Sequence, residues 1–174
     1  MSLDEFMNKN DIIQIVKKCI DGLYSDNGDM YLFDCMVCER CLMFRLAYYL
    51  QMEFPNYFVD AEFNKMGFFG YKHANKVEPI RNSGKLKKMY VDIIIHKRNS
   101  NTKNNFICLE VKRAKRGMNN DLERLKMMTK QNGFMHNGIN YIYAYDFGVF
   151  VYIPRDKANA EIRIFQNGEE LSNH

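Results

Sequence analysis

Met89-Tyr90-Val91-Asp92-Ile93-Ile94-Ile95-His96-Lys97, then Arg98-Asn99-Ser100-Asn101-Thr102-Lys103-Asn104, then Asn105-Phe106-Ile107-Cys108-Leu109-Glu110-Val111-Lys112-Arg113-Ala114, is the stretch on which the fold turns. Its outer parts are rich in β-branched and aromatic residues, and the middle seven residues are polar with no reason to pack. The runs Ile93–Ile95 and Phe106–Leu109 are almost continuously apolar, as in strands covered on both faces. The reading is a central hairpin with Asp92, Glu110 and Lys112 set into a buried sheet.

If the loop is symmetric, residue 97 pairs with 105, 96 with 106, and Asp92 falls opposite Glu110. Directly opposed residues hold their Cβ atoms about 4.5–5.5 Å apart on one face. Two carboxylates so placed repel unless a cation lies between them. Mg²⁺ suits that position, since it is held by one or two carboxylates together with waters and substrate phosphate. Lys112 lies two residues beyond Glu110, on the same face about 6.5–7 Å along the strand. There it can orient an attacking water or offset phosphate charge. Cys108, Ile94 and His96 share that face, while Ile93, Leu109 and Val111 point to the other.

Working outward, Ile12, Val16, Cys19, Ile20, Leu23 and Tyr24 recur at helical spacing from Asn10 to Tyr24, and Ser25-Asp26-Asn27-Gly28 ends that helix as a turn. A second helix is expected from Asp34 to Glu53, stopped by Pro55. Its polar residues do not gather on one side, which predicts a helix buried on most sides. Glu39 then lies in or near the interior, where a carboxylate needs a cation.

Val59, Ala61 and Phe63 alternate with Asp60, Glu62 and Asn64 as a half-buried strand, and Asp60 and Glu62 take its solvent side. Residues 65–88 resist assignment. Asp121–Gln131 reads as a helix with Leu122, Leu125 and Met128 inward. Tyr141–Asp146 and Val149–Pro154 read as a hairpin across Phe147-Gly148, and Glu161–Phe165 as a final edge strand. This order implies a mixed sheet flanked by helices, within one domain spanning residues 1–174.

Asp92, seventeen residues, then Glu110-Val111-Lys112 resembles the D…(D/E)XK signature of the PD-(D/E)XK nuclease superfamily. Val91 stands where the signature's proline would be. The resemblance implies a restriction endonuclease-like α/β fold: an αβββαβ core, here with an extra N-terminal helix and C-terminal strands. It also implies that an acid on the preceding helix joins the metal site, a role that Glu39 matches. The activity implied is metal-dependent hydrolysis of DNA phosphodiesters, with Mg²⁺ or Mn²⁺ held by Asp92, Glu110 and Glu39, and Lys112 assisting. Cleavage of both strands of a duplex by so small a domain would call for a homodimer. A non-catalytic nucleic-acid-binding or protein-interaction module on the same fold is the alternative.

Lesser signals fit around this core. Lys85, Lys87, Lys88, Arg113, Lys115, Arg116 and Lys126 are candidates for contact with DNA phosphates. Asp121, Arg124, Lys126 and Lys130 follow the catalytic strand on a helix and could touch the substrate backbone, with an ordinary solvated charge the favoured reading for any one of them. His73, His96, His136 and His174 show no metal-ligand spacing. Cys35, Cys38 and Cys41 spell C-x₂-C-x₂-C, part of an iron–sulfur ligand run, but no fourth cysteine lies at matching distance. Small buried hydrophobes on a helix, carrying neither disulfide nor cluster, are the expectation.

A hydrophobic fraction of 47% supports a packed core and excludes a disordered chain. The formal charge of +4 permits an anionic partner without requiring one. No run approaches the roughly 18 apolar residues of a membrane span. The acidic start lacks a signal peptide's basic and apolar regions, and five cysteines without an export signal predict reduced thiols in the cytoplasm.

Overall fold

The computed structural model describes residues 7–25, 29–63, 76–80, 84–98 and 105–172. Its elements run α1 (Lys9–Leu23), α2 (Met30–Asp34), α3 (Glu39–Glu53), β1 (Phe58–Phe63), β2 (Val77–Pro79), β3 (Leu86–Lys88), β4 (Val91–His96) and β5 (Asn105–Lys112). Then come α4 (Met118–Thr129), β6 (Phe134–His136), β7 (Ile139–Tyr141), β8 (Phe147–Tyr152), β9 (Glu161–Gln166) and β10 (Glu169–Leu171). His73, Arg81, His174 and most of the loop after His96 lie outside the described residues.

Six strands form one mixed sheet in the order β1-β4-β5-β8-β9-β10. β5 and β8 are parallel, joined across α4, and the other neighbours are antiparallel. One face packs on α1 and α3 through Ile93, Ile95, Leu109, Val111, Val149 and Val151, and the other on α4 through Ile94, Cys108 and Phe150. Both faces of β5 are therefore dry, which is why its apolar run is unbroken except at Glu110.

The ladder Ile93↔Leu109, Ile94↔Cys108, Ile95↔Ile107 follows the symmetric register. A bulge between Ile95 and His96 then pairs His96 with Asn105, one residue short of the regular pairing. His96 is buried, with Nε2 2.8 Å from Asp60 Oδ2. Asp60 also binds Arg98, and Glu62 pairs with Arg40 at 2.7 Å, so neither acid of β1 is merely solvated.

α1 begins at a reciprocal cap. Asn8 Oδ1 accepts from Asn10 N at 2.8 Å, and Asp11 Oδ2 accepts from Asn8 N at 2.9 Å. The helix crosses α3 at Gly22, where a Cβ would stand 3.2 Å from the Tyr49 ring.

The expected helix from Asp34 to Glu53 is in fact two. α2 ends at Asp34, Met36 turns the chain with φ 48°, and α3 restarts from an extended Cys38. α3 is also not buried on most sides. Leu42, Met43, Leu46 and Leu50 face the core, whereas Phe44, Tyr48 and Met52 form an exposed ridge. Exposed apolar residues, and not all-round burial, explain why its polar residues fail to gather on one side. Cys35, Cys38 and Cys41 are exposed, so the reading of small buried hydrophobes does not hold; Cys19 and Cys108 are the buried thiols.

The expected hairpin across Phe147-Gly148 is also replaced. Ile139–Tyr141 pairs with β6, and Phe147-Gly148 begins the buried strand β8. Gly148 serves close packing here: a Cβ would lie 3.1 Å from Thr129 Cγ2 of α4. Nor is β9 the edge, since Asn167-Gly168 returns the chain as β10. Among the described residues no helix is long and apolar enough to cross a membrane.

Lys76 is the outlier in the packing. It is 3% exposed, with its ammonium 4.6 Å from the Phe63 ring centroid. Burial pulls its pKa down from 10.5 to about 7. The unfolded chain keeps this proton up to about pH 10.5, so stability rises with pH between those values. Lys76→Met should therefore stabilise the fold by ~3 kcal/mol at pH 6, less whatever cation–π contact is lost. Thermal unfolding from pH 6 to 10 should show that advantage level up to about pH 7 and shrinking above it.

Candidate active site

The site grows from the end of β5. Carried one step beyond Ile93↔Leu109, the ladder brings Asp92 opposite Glu110 on the face beneath α4. Asp92 Oδ2 accepts the Val111 N–H at 2.8 Å, which fixes its carboxylate against the strand end. Glu110 is 1% exposed. Burial, followed by the neighbouring Asp92 charge, pushes its carboxyl well above the usual range. Asp92 is raised as well, by burial first, with the Val111 N–H and Lys112 opposing.

Lys112 Nζ lies 3.1 Å from Glu39 Oε1 and 3.4 Å from Asp121 Oδ2. Burial works to lower this ammonium, yet Asp121, Glu39 and Asp92 together hold it above its ordinary value. Glu39 is the first residue of α3, half-buried and not interior, and its Oε2 takes the Arg113 N–H at 2.8 Å. Helix α3 is thereby tied to the end of β5 by two bonds to one carboxylate.

α4 supplies what the sequence reading passed over as solvated charge. Arg124 NH1 donates to Glu110 Oε1 at 2.8 Å and stands 3.5 Å from Asp121 Oδ1. Its Nε donates to Glu78 Oε2 at 2.8 Å, and Lys87 Nζ is 3.0 Å from Glu78 Oε1. Asp121 is buried, its pKa is raised by that burial, and its Oδ2 lacks a hydrogen bond of good geometry. Ion pairs thus link Glu39, Lys112, Asp121, Arg124, Glu110, Glu78 and Lys87, with Asp92 alongside.

The signal for Asp121 and Arg124 was their i, i+3 spacing on the helix that follows Glu110-Val111-Lys112. Glu78 gave none, because it sits in a three-residue strand within the unassigned stretch.

The candidate phosphate contacts differ in their partners. Arg113 donates NH1 to the Val37 carbonyl and is structural. Lys115 lies 3.7 Å from Glu161 and over the Tyr152 ring, and Arg116 is exposed in the same turn. Lys85 flanks β3, Lys88 is exposed on it, and Lys126 pairs with Glu123 at 3.0 Å. Lys87, Lys126, Lys130 and Arg124 do line one cleft of about 620 Å³, shared with Glu78, Glu123 and Glu169.

Among the described residues no group of three or more His, Cys, Asp or Glu side chains is arranged to hold a metal ion. Asp92 and Glu110 are the two carboxylates that a divalent cation could share, each with one oxygen already engaged, by Val111 N–H and by Arg124 NH1, while Asp121 Oδ2 has only the Lys112 ammonium at 3.4 Å.

No protein-family model matches this chain, and no curated protein does. Among solved structures, the crystal structure of SSO0001 is similar at a TM-score of 0.36 and 15% identity, covering 87% of this chain. This chain spans 65% of that one's length.

Two variants probe the electrostatics. Asp92→Asn keeps an acceptor for Val111 N–H and removes a charge that the fold disfavours. Because the folded carboxyl is raised, wild-type stability falls as pH rises through and beyond 3.8. Asp92→Asn should therefore unfold at or above the wild-type temperature at pH 8 in EDTA, with the gap closing toward pH 4. Arg124→Met leaves Glu110 without its cation and Glu78 with Lys87 alone, and should cost about 3–5 kcal/mol at pH 8. Protonation of Glu110 should reduce that loss at pH 5, as urea denaturation at the two pH values would register.

Proposed function

We propose that this chain is a metal-dependent nuclease of the PD-(D/E)XK type, built on a restriction endonuclease-like core. The main-sheet elements α3-β1-β4-β5-α4-β8 follow the αβββαβ order, with β9 and β10 added after it. The observation that carries the reading is the meeting of Asp92, Glu110 and Lys112 with Glu39 at the end of β5. Binding alone gives no reason to bury two carboxylates against each other.

In this reading Asp92 and Glu110 hold Mg²⁺ or Mn²⁺, and Glu39 contributes directly or through water. When bound, the cation supplies Lewis-acid polarisation of the phosphodiester and activation of water. Lys112 Nζ donates a hydrogen bond to the attacking water or to a phosphoryl oxygen. Glu39 and Asp121 keep that ammonium charged and aimed. Arg124 would compete with such a cation for Glu110, and its pairing with Glu78 keeps the guanidinium on the wall of the cleft that Lys87, Lys126 and Lys130 also line. DNA is the proposed substrate, and duplex cleavage would use a homodimer.

One observation favours the rival, a non-catalytic nucleic-acid-binding or protein-interaction module: Arg124 already neutralises Glu110. The two readings part in one assay. Purified protein should cut linear, nicked, branched or single-stranded DNA in Mg²⁺ or Mn²⁺, and EDTA should stop it. Asp92→Ala, Glu110→Ala and Lys112→Ala should each lower cleavage by at least ~100-fold. Mg²⁺ should raise the unfolding temperature of wild type and Lys112→Ala but not of Asp92→Ala. Wild-type protein that cuts none of these substrates, or an Asp92→Ala protein that cuts equally well, would leave the binding module.

A further inference from the structure

Three of the five cysteines crowd into seven residues, and the structure brings two of their sulfurs together. Cys38 Sγ and Cys41 Sγ are 3.5 Å apart, and both side chains are exposed. The cause is the break between α2 and α3. Cys38 is extended (φ −66°, ψ 156°) as the N-cap of α3, and Cys41 N donates to Cys38 O at 3.0 Å. N-cap and third helical residue lie on the same side of the open first turn, so their side chains meet there. Had one helix run from Asp34, this contact would not have arisen.

The choice of residue is also unusual. Ser, Thr, Asp and Asn are preferred at an N-cap because their oxygens satisfy a free backbone N–H. Cys38 makes no side-chain cap bond of ordinary hydrogen-bond geometry, yet the backbone N–H groups of Cys41 and Arg40 lie close enough to its sulfur to pull the thiol pKa down. A thiol in the place of the usual hydroxyl or carboxyl cap, with its sulfur 3.5 Å from a second sulfur, points to chemistry between the two.

We propose that Cys38 and Cys41 are a reversible dithiol–disulfide pair that exchanges with small-molecule disulfides such as oxidised glutathione. One cysteine thiolate attacks a glutathione sulfur, forming a mixed disulfide and releasing one glutathione thiolate. The second cysteine gives up its proton to solvent, attacks the mixed disulfide at the protein sulfur and releases the other glutathione. Two electrons pass from the protein thiols to glutathione disulfide, which leaves as two glutathione thiols.

Closing the bond brings the sulfurs to about 2.04 Å, a movement that side-chain rotation can supply. The loop closed is very short, so the bond constrains the unfolded chain little and acts as a reducible, regulatory link. Cys35 is exposed but belongs to the end of α2, and Cys19 and Cys108 are buried away from solvent. The bridge would span Glu39 and Arg40 and lock the turn from which Glu39 reaches Lys112. The pairing itself does not depend on what the site catalyses.

The test is made on the full chain in buffers of graded oxidised-to-reduced glutathione ratio, quenched in acid and alkylated. Wild type should lose two of its five alkylatable thiols without gaining glutathione mass, and dithiothreitol should restore both. Trypsin cleaves after Lys18, Arg40 and Arg45, so the bridge should link residues 19–40 to residues 41–45, with fragmentation placing it on Cys38 and not on Cys19 or Cys35. Cys38→Ser and Cys41→Ser should instead each retain one bound glutathione, while Cys35→Ser behaves as wild type. Stable glutathionylation of Cys38 or Cys41 in wild type, a bridge that includes Cys35, a dimeric disulfide, or no reaction at all would each overturn the proposal.

Discussion

A carboxylate buried in the middle of a sheet places heavy demands on its surroundings, and Glu110 is such a group. Its strand is covered on both faces, its opposite neighbour Asp92 is also an acid, and solvent does not reach it. Transfer of an unpaired charge into such surroundings costs several kcal/mol, so the fold must bring a cation to it or keep it protonated. Arg124 is the cation. Reaching Glu110 requires α4 to follow β5 directly and lie back across it, which in turn lets the chain return as β8 parallel to β5. The layer arrangement on that face of the sheet and the neutralisation of one side chain are therefore the same event.

The opposite face obeys a different rule. α1 and α3 pack there through apolar side chains, and the polar link to the site is made at the α3 start, where Glu39 takes both Lys112 Nζ and Arg113 N. Charge is thus held at the end of β5, at the point where both helical layers converge. Helix α3 contributes position, α4 contributes compensation, and the strands contribute the acids.

Much of this was legible from alternation. Period-two spacing places Cys108, Glu110 and Lys112 on one face, and a polar loop of seven residues sets a register that holds through Ile93–Ile95. The departures have local causes. A bulge at His96 leaves no mark in composition, because His96 is satisfied by Asp60, which is thirty-six positions away. Gly148 looks like a turn residue, yet it sits in a strand because α4 needs the space. The helix break at Cys35–Cys38 lies in a stretch with neither proline nor glycine, so nothing announces it. Asp121 and Arg124 carried a visible spacing but looked like surface charge until α4 was laid over β5. Glu78 could not be found from a three-residue strand.

The charge balance of the site bears on what it can bind. Glu39, Glu78, Asp92, Glu110 and Asp121 face Lys87, Lys112 and Arg124: five carboxyl groups against three cations, an excess of two negative charges when all are ionised. Buried surroundings do not tolerate such an excess, and two routes relieve it. Protonation is one, and the raised carboxyls of Glu110, Asp92 and Asp121 are its expression. A divalent cation is the other, and its charge matches the deficit. The two routes compete for the same oxygens, so cation uptake in the proposed nuclease must release protons and strengthen as pH rises. A module that only binds nucleic acid has no such requirement, because Arg124 and protonated acids already bring the site close to neutrality.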